Sequence, residues 1–193
     1  MMNNRIEEIF DESISVLSES KKIHPEIKTA IEIITKCYEN GNKVIIFGNG
    51  GSAADAQHMA AEFIGRYLLE RKSLPAIALT TDTSIITALG NDYGFENTFS
   101  RQCESMVSKG DVIIAISTSG NSKNVLNGIK TAKKCGAIII GLTGQNGISL
   151  QEMVDVLLIV PSKSTPRIQE GHRIIIHTIC ELVEREFSSK TSV

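Results

Sequence analysis

Two histidines, a carboxylate and two runs of small polar residues carry the chemistry this sequence can offer. His58 and Glu62 stand four apart in GGSAADAQHMAAE, so a helix places them on one face. Such a pair can move protons or ligate a metal, although a solvated helical pair is its commoner fate. A second histidine-bearing stretch, RIQEGHRIIIH, supplies Gln169, His172 and His177. His177 lies in an otherwise apolar row, where a lone histidine is more often a satisfied core residue; His172 has no special context and is left structural or exposed. His58, Glu62 and His177 would make an open zinc site, with Gln169 as a weaker oxygen donor. Geometry resists that last step. From Gln169 to His177 an ideal helix rises about 12 Å and turns by roughly 80°. An irregular helix start, converging long side chains or a neighbouring subunit would resolve it.

The polar runs have a different use. Gly48-Asn49-Gly50-Gly51 follows an apolar run, Val44 to Phe47, and lets the backbone turn tightly beside a ligand. Ser52 is a natural N-cap for the alanine-rich helix that follows, and the free N–H groups there favour a phosphate or sugar hydroxyls. The second run, Ser117 to Ser122, holds the hydroxyls of Ser117, Thr118, Ser119 and Ser122 around Gly120. One hydroxyl caps a helix. Four exceed that need and suit a phosphate. The first run also fits G-x-G-x-x-A, a weak dinucleotide fingerprint with Asp82 as ribose-binding acid. That acid is expected about 20 residues after the glycines, and Asp82 comes later; the reading also leaves His58 and the hydroxyl run unused.

These residues need elements to hold them. An amphipathic helix over residues 4–20 and a second after His24-Pro25 precede the first strand, and they either cover a sheet face or pack on another subunit. Strands are expected at Val44–Phe47, Ala76–Leu79, Val112–Ile116, Ala137–Leu142 and Val156–Val160, alternating with helices. Asp82 caps a short helix through Ala88, and Gly90-Asn91-Asp92-Tyr93-Gly94 reads as a turn. The last helix runs from about Arg167 to Phe187. The pattern gives an α/β fold, a single doubly wound domain over 1–193, with residues 1–41 as the helical pair and 42–187 as a five-stranded parallel sheet flanked by helices. Both polar runs then fall at the carboxyl ends of strands, where such sheets bind ligands.

Composition narrows the class. The 193 residues carry a net charge of −2 with charges scattered, so no basic footprint for nucleic acid exists. No apolar run approaches a membrane span, and the polar, acidic start lacks a signal peptide's apolar core. The four cysteines are widely spaced and read as reduced core residues. A cytoplasmic protein is expected.

GNGGSAADAQH, LGNDYGF, ISTSGNS and RIQE followed by His177 together resemble the sugar isomerase (SIS) domain family, over nearly the whole chain. Within it they are similar to the branch that interconverts sedoheptulose 7-phosphate and D-glycero-D-manno-heptose 7-phosphate, the first step towards the heptose of bacterial lipopolysaccharide. The resemblance implies a homotetramer. It also implies that Asn49, Gly50, Gly51, Ser52, Asn91 and Asp92 hold the sugar and that Ser117, Thr118, Ser119 and Ser122 hold the phosphate. His58, Glu62, Gln169 and His177 correspond to zinc-site positions, and Glu62 and His177 to the catalytic acid–base pair. Two departures stand out. Pro166 occupies a position that is acidic in some members, and Gly171 replaces a larger apolar residue and is expected to loosen the last helix. An alternative comes from relatives that bind the bacterial replication initiator instead of catalysing; that branch lacks the Glu62 and His177 equivalents and reads GNGTS, whereas this chain keeps GNGGS and both residues.

Overall fold

The computed structural model describes residues 2–188; Met1 and residues 189–193, which the expected 1–193 domain includes, lie outside the described residues. Five strands, β1 (Val44–Gly48), β2 (Ala76–Ala78), β3 (Val112–Ser117), β4 (Ile138–Gly144) and β5 (Val156–Val160), form one sheet in the order β2-β1-β3-β4-β5. Every pairing is parallel, as apolar runs without alternation require of strands covered on both faces. Gly48 lies opposite Ile116, and Ser117 opposite Thr143, so β1, β3 and β4 end at one edge. The order reverses between β1 and β3, which makes the space beyond their carboxyl ends the switch-point crevice.

Among the described residues seven α-helices surround the sheet: α1 (Met2–Ser20), α2 (His24–Glu39), α3 (Gly51–Ile64), α4 (Thr83–Tyr93), α5 (Thr98–Met106), α6 (Lys123–Lys134) and α7 (Thr165–Ser188). Alternate strand residues point to opposite faces. Val44, Ile46, Ile114 and Leu142 therefore join a core with Ile34, Met59, Phe63, Ile176 and Ile179 from α2, α3 and α7. Ile45, Phe47, Ile113 and Ile139 join a second core with Phe99, Cys103, Val125 and Ile129 from α5 and α6.

Several expectations change in detail. Of the first helical pair, α2 covers the sheet with Ala30, Ile34, Cys37 and Tyr38, whereas α1 buries no residue and leaves Ile6, Phe10 and Ile14 exposed. The turn expected over Gly90–Gly94 is helical as far as Tyr93, and the chain turns only at Gly94, where φ is +83°. Asp82 caps that helix through the Ile85 N–H at 2.9 Å; once nucleated, a helix propagates through one glycine at a cost of about 1 kcal/mol. The last helix is unbroken. Pro166 sits in its first turn, where a missing N–H is tolerated, so an irregular start does not bring Gln169 to His177. Gly171 does not loosen the helix either. A Cβ there would come 2.7 Å from Val160 Cγ2, so the glycine is what lets α7 lie against β5. All four cysteines are free, and among the described residues no helix is long and apolar enough to cross a membrane.

Candidate active site

The turn after β1 is held by close backbone approach. A Cβ on Gly48 would lie 2.7 Å from the Ile116 carbonyl oxygen, and Gly50 has φ +56°, a conformation side chains disfavour. Gly50, not Ser52, is the N-cap of α3; Ser52 is buried inside the first turn. The chain already enters the helix at Gly50, so Ser52 falls inside its first turn. Asn49 is a strut. Its side chain and that of buried Asn124 exchange two hydrogen bonds of 2.9 Å, joining the turn after β1 to the start of α6. A cleft above this turn is lined by Gly48, Asn49, Gly50, Ala53, Thr80 and Phe95. Asn91 and Asp92 bond to each other at 2.8 Å, exposed on the last turn of α4, and are not among the residues lining that cleft.

The hydroxyl run lies beside it. Ser122 is the N-cap of α6 by position, yet its side chain makes no capping bond. Its Oγ is instead 3.2 Å from Ser117 Oγ, and Ser119 Oγ accepts from the Asn121 N–H at 3.2 Å. Gly120, φ +69°, rests on Gly147, which in turn rests on Thr143; a Cβ on Gly120 would collide with the Gly147 backbone, and one on Gly147 with Thr143 Oγ1. His172, left open by the sequence, is fully buried; burial pushes its imidazole down to about 4, so it is neutral near pH 7.

The residues expected to act as acid and base meet along a seam between α3 and α7. Gln169 abuts Gly51, so closely that a Cβ there would strike its amide. Arg173 Nη2 pairs with Asp55 Oδ1 at 2.5 Å. His58 Nε2 faces His177 Nε2 at 2.9 Å. Residue numbers rise together on both helices, so α3 and α7 lie side by side and parallel, and each level adds about one turn. His58 Nε2 also lies 3.4 Å from Glu62 Oε1. The structure thus brings His58, Glu62 and His177 together and leaves Gln169 about 12 Å of helical rise away. Burial, then the neighbouring His58 and Arg173, hold the His177 imidazole below its ordinary value against the pull of Glu62 and Asp55. Burial raises the Asp55 carboxyl despite Arg173 and the two histidines.

Zinc imposes its own spacing on such donors. Ligands on a tetrahedral zinc with bonds of about 2.0–2.1 Å lie about 3.4 Å apart, and the two nitrogens already converge to 2.9 Å. Two imidazoles and a carboxylate are the right chemistry. Among the described residues, however, no three His, Cys, Asp or Glu side chains surround one point as a ready cage; here both partners meet His58 Nε2 itself. The donors suit zinc in their chemistry, not in their present arrangement.

Sequence reasoning missed Asn124 and the Asp55–Arg173 pair. A lone asparagine at a helix start reads as a surface residue, and Asp55 reads as a solvated charge on an alanine-rich helix. Only the Asp55 position, three before His58, hinted that it shares the seam.

The SIS domain family profile matches residues 8–144. The chain is 54% identical over 169 residues to a phosphoheptose isomerase of Citrifermentans bemidjiense, covering 88% of each chain. It is 50% identical over 187 residues to one of Campylobacter concisus, covering 97% of this chain and 99% of that one. Its fold superposes on the phosphoheptose isomerase structure of Neisseria gonorrhoeae with a TM-score of 0.91 at 43% identity, covering 96% of this chain and all of the other (100%). For the structure from Francisella tularensis the TM-score is 0.92 at 37% identity, with 96% and 99% covered. With its parallel sheet, its two polar turns at the switch point and these matches, the chain belongs to the SIS domain family.

Proposed function

We propose that this chain is the aldose–ketose isomerase that converts sedoheptulose 7-phosphate to D-glycero-D-manno-heptose 7-phosphate. The observation that carries the reading is the meeting of Glu62 and His177 at His58, in a chain whose relatives are named phosphoheptose isomerase. Moving the carbonyl from C2 to C1 requires removal of a proton from C1, its return at C2, and transfer of a proton between the two oxygens. A carboxylate and an imidazole facing one sugar divide that work, one serving the carbon and the other the oxygens. The phosphate sits on Ser117, Thr118, Ser119 and Ser122 and the start of α6, where N–H groups and hydroxyls neutralise it without a cation. Asn49, through its pairing with Asn124, holds the two turns in register, and Gly50, Gly51, Ser52, Asn91, Asp92 and Gln169 complete the sugar side. His58, Glu62 and His177 would hold a zinc ion, with Gln169 a fourth donor only from another copy. Zinc bound there supplies positive charge against the oxygen that becomes anionic.

The site is shared between copies in this reading. Along α3, Ser52 and Glu62 are separated by about 15 Å of rise, so the hydroxyl turn of one chain and the seam of the same chain face different places. The uncovered apolar side of α1, with Ile6, Phe10 and Ile14 exposed, supports a homo-oligomer, taken as a tetramer, that brings one copy's turn to another's seam. We place the reaction in the cytoplasm, at the first step towards the heptose of lipopolysaccharide. The initiator-binding alternative is not favoured, because the chain keeps both acid–base residues.

The decisive experiment incubates the purified protein with sedoheptulose 7-phosphate and follows aldose formation by NMR, with and without a chelator. No aldose in either arm overturns the isomerase; full turnover in chelator overturns a required zinc. Mixing inactive Glu62→Gln oligomers with oligomers that carry Ser117→Ala, Ser119→Ala and Ser122→Ala together, at substrate well below their KM, raises turnover after exchange above the sum of the two if the site is shared, and leaves it at or below that sum if each chain works alone.

A further inference from the structure

Two buried charges where α3 ends have no part in the chemistry above. The side chains of Arg71 and Glu184 are each 1% exposed and lie 3.4 Å apart. The Glu184 carboxylate accepts the N–H groups of Tyr67, Leu68 and Leu69 at 2.7, 2.6 and 2.7 Å. Arg71 donates to the carbonyls of Glu62 and Phe63, both at 2.8 Å, and to Lys72 at 3.1 Å. The first two are last-turn carbonyls of α3, which the helix itself leaves without partners. Arg71 Nε, buried, makes no hydrogen bond and meets Glu184 as charge alone. On α7, Glu184 stands seven residues after His177, about two turns, on the same face. One ion pair therefore ties the backbone of Glu62 to the helix that carries His177. Tyr67, anchored by its N–H on Glu184, lays its ring against His177 with centroids 5.6 Å apart and planes at 39°.

A buried ion pair of this kind contributes little net stability against an apolar alternative, and its placement has a clearer use. We infer that Arg71 and Glu184 are positioning residues for the isomerisation: they fix the spacing of Glu62 and His177, and through Tyr67 they fix the plane of the His177 imidazole. This rests on the acid–base reading of Glu62 and His177. Both side chains are buried and act through others.

The test compares Glu184→Gln and Tyr67→Leu in the full chain, with sedoheptulose 7-phosphate as substrate. Displacing a catalytic group by about 1 Å costs on the order of 100-fold, so kcat falls about 10- to 100-fold while KM stays within about threefold, since the phosphate turn is untouched. The imidazole resonances of His177, read by 15N NMR, shift in both variants. Tyr67→Leu keeps the backbone N–H on Glu184 and an apolar side chain against the core, so it decides the matter if Glu184→Gln does not fold. Arg71→Lys, which keeps the charge but not the fork, recovers part of the rate lost in Arg71→Met. Folded variants with wild-type kcat and an unshifted His177 overturn the inference. An inactive wild type overturns the acid–base reading instead, and the His177 resonance still tests the clamp.

Discussion

The carboxyl-edge turns and the α3–α7 seam are held by opposite means. At the edge the backbone does the positioning: Gly48 against Ile116, Gly120 on Gly147, and one amide pair between Asn49 and Asn124. Side chains there are left lightly engaged, and Ser122 does not even cap its helix. Along the seam charged and titratable side chains meet at successive levels, Asp55 with Arg173, His58 with His177, and Arg71 with Glu184. An edge of that kind receives an anion from solvent without rearrangement. A seam of that kind keeps proton-carrying groups at fixed separations. Binding and proton transfer should therefore come apart in kinetics.

The hardest blow to the seam is Glu62→Gln. It should lower kcat by about 1,000-fold with KM within about threefold, measured by NMR or a coupled assay; a loss expressed only in KM would erase the division between the regions. At the edge, Gly147→Ala forces a Cβ into Thr143 Oγ1 and disturbs Gly120. We expect a KM rise of about 30-fold with kcat largely kept, and a stability loss of about 1–3 kcal/mol by denaturant titration. Ser122→Ala removes one hydroxyl donor to a charged group and should raise KM by about tenfold without moving the melting temperature. A fall in kcat equal to that of Glu62→Gln would show that the edge takes part in proton transfer.

The mildest test uses pH. Burial pushes the Glu184 carboxyl up, but the N–H groups of Leu68, Leu69 and Tyr67, with Arg71, outweigh it and hold the group below its ordinary value. Asp111, buried just before β3, behaves likewise: burial raises it, and Lys43 Nζ at 2.6 Å with the N–H groups of Ser108 and Lys43 brings it below the usual range. A carboxyl lowered in the folded state gives stability that is complete above its unfolded pKa and is lost as pH falls through the folded value. Melting temperature should thus drop on acidification, and both Glu184→Gln and Asp111→Asn should flatten that limb. Only Glu184→Gln should also slow turnover at neutral pH.

Much of this was legible in the sequence because it is local. Val156–Val160 reads as a strand from its unbroken apolar run and is one, and the two polar turns stand at strand ends as their glycines and hydroxyls require. Ser52 misleads because a preceding glycine at φ +56° takes the capping place. Asn124 is silent because its partner, Asn49, is far away in sequence and near only once β1 and β3 pair. The seam is the same case at longer range. His58 and His177 meet because α3 and α7 happen to lie parallel and in step, a register that no periodicity within either helix encodes. The distance between Gln169 and His177, by contrast, follows from helical rise alone.

Gly171 faces Val160 with no room for a methyl between them. Any side chain added at 171 lifts α7 off β5, and the displacement reaches His177 within two further turns. Volume at 160 and 171 must therefore be traded: Gly171→Ala should be tolerated with Val160→Ala and resisted alone, making this pair of residues a gauge of how firmly His177 is held against His58.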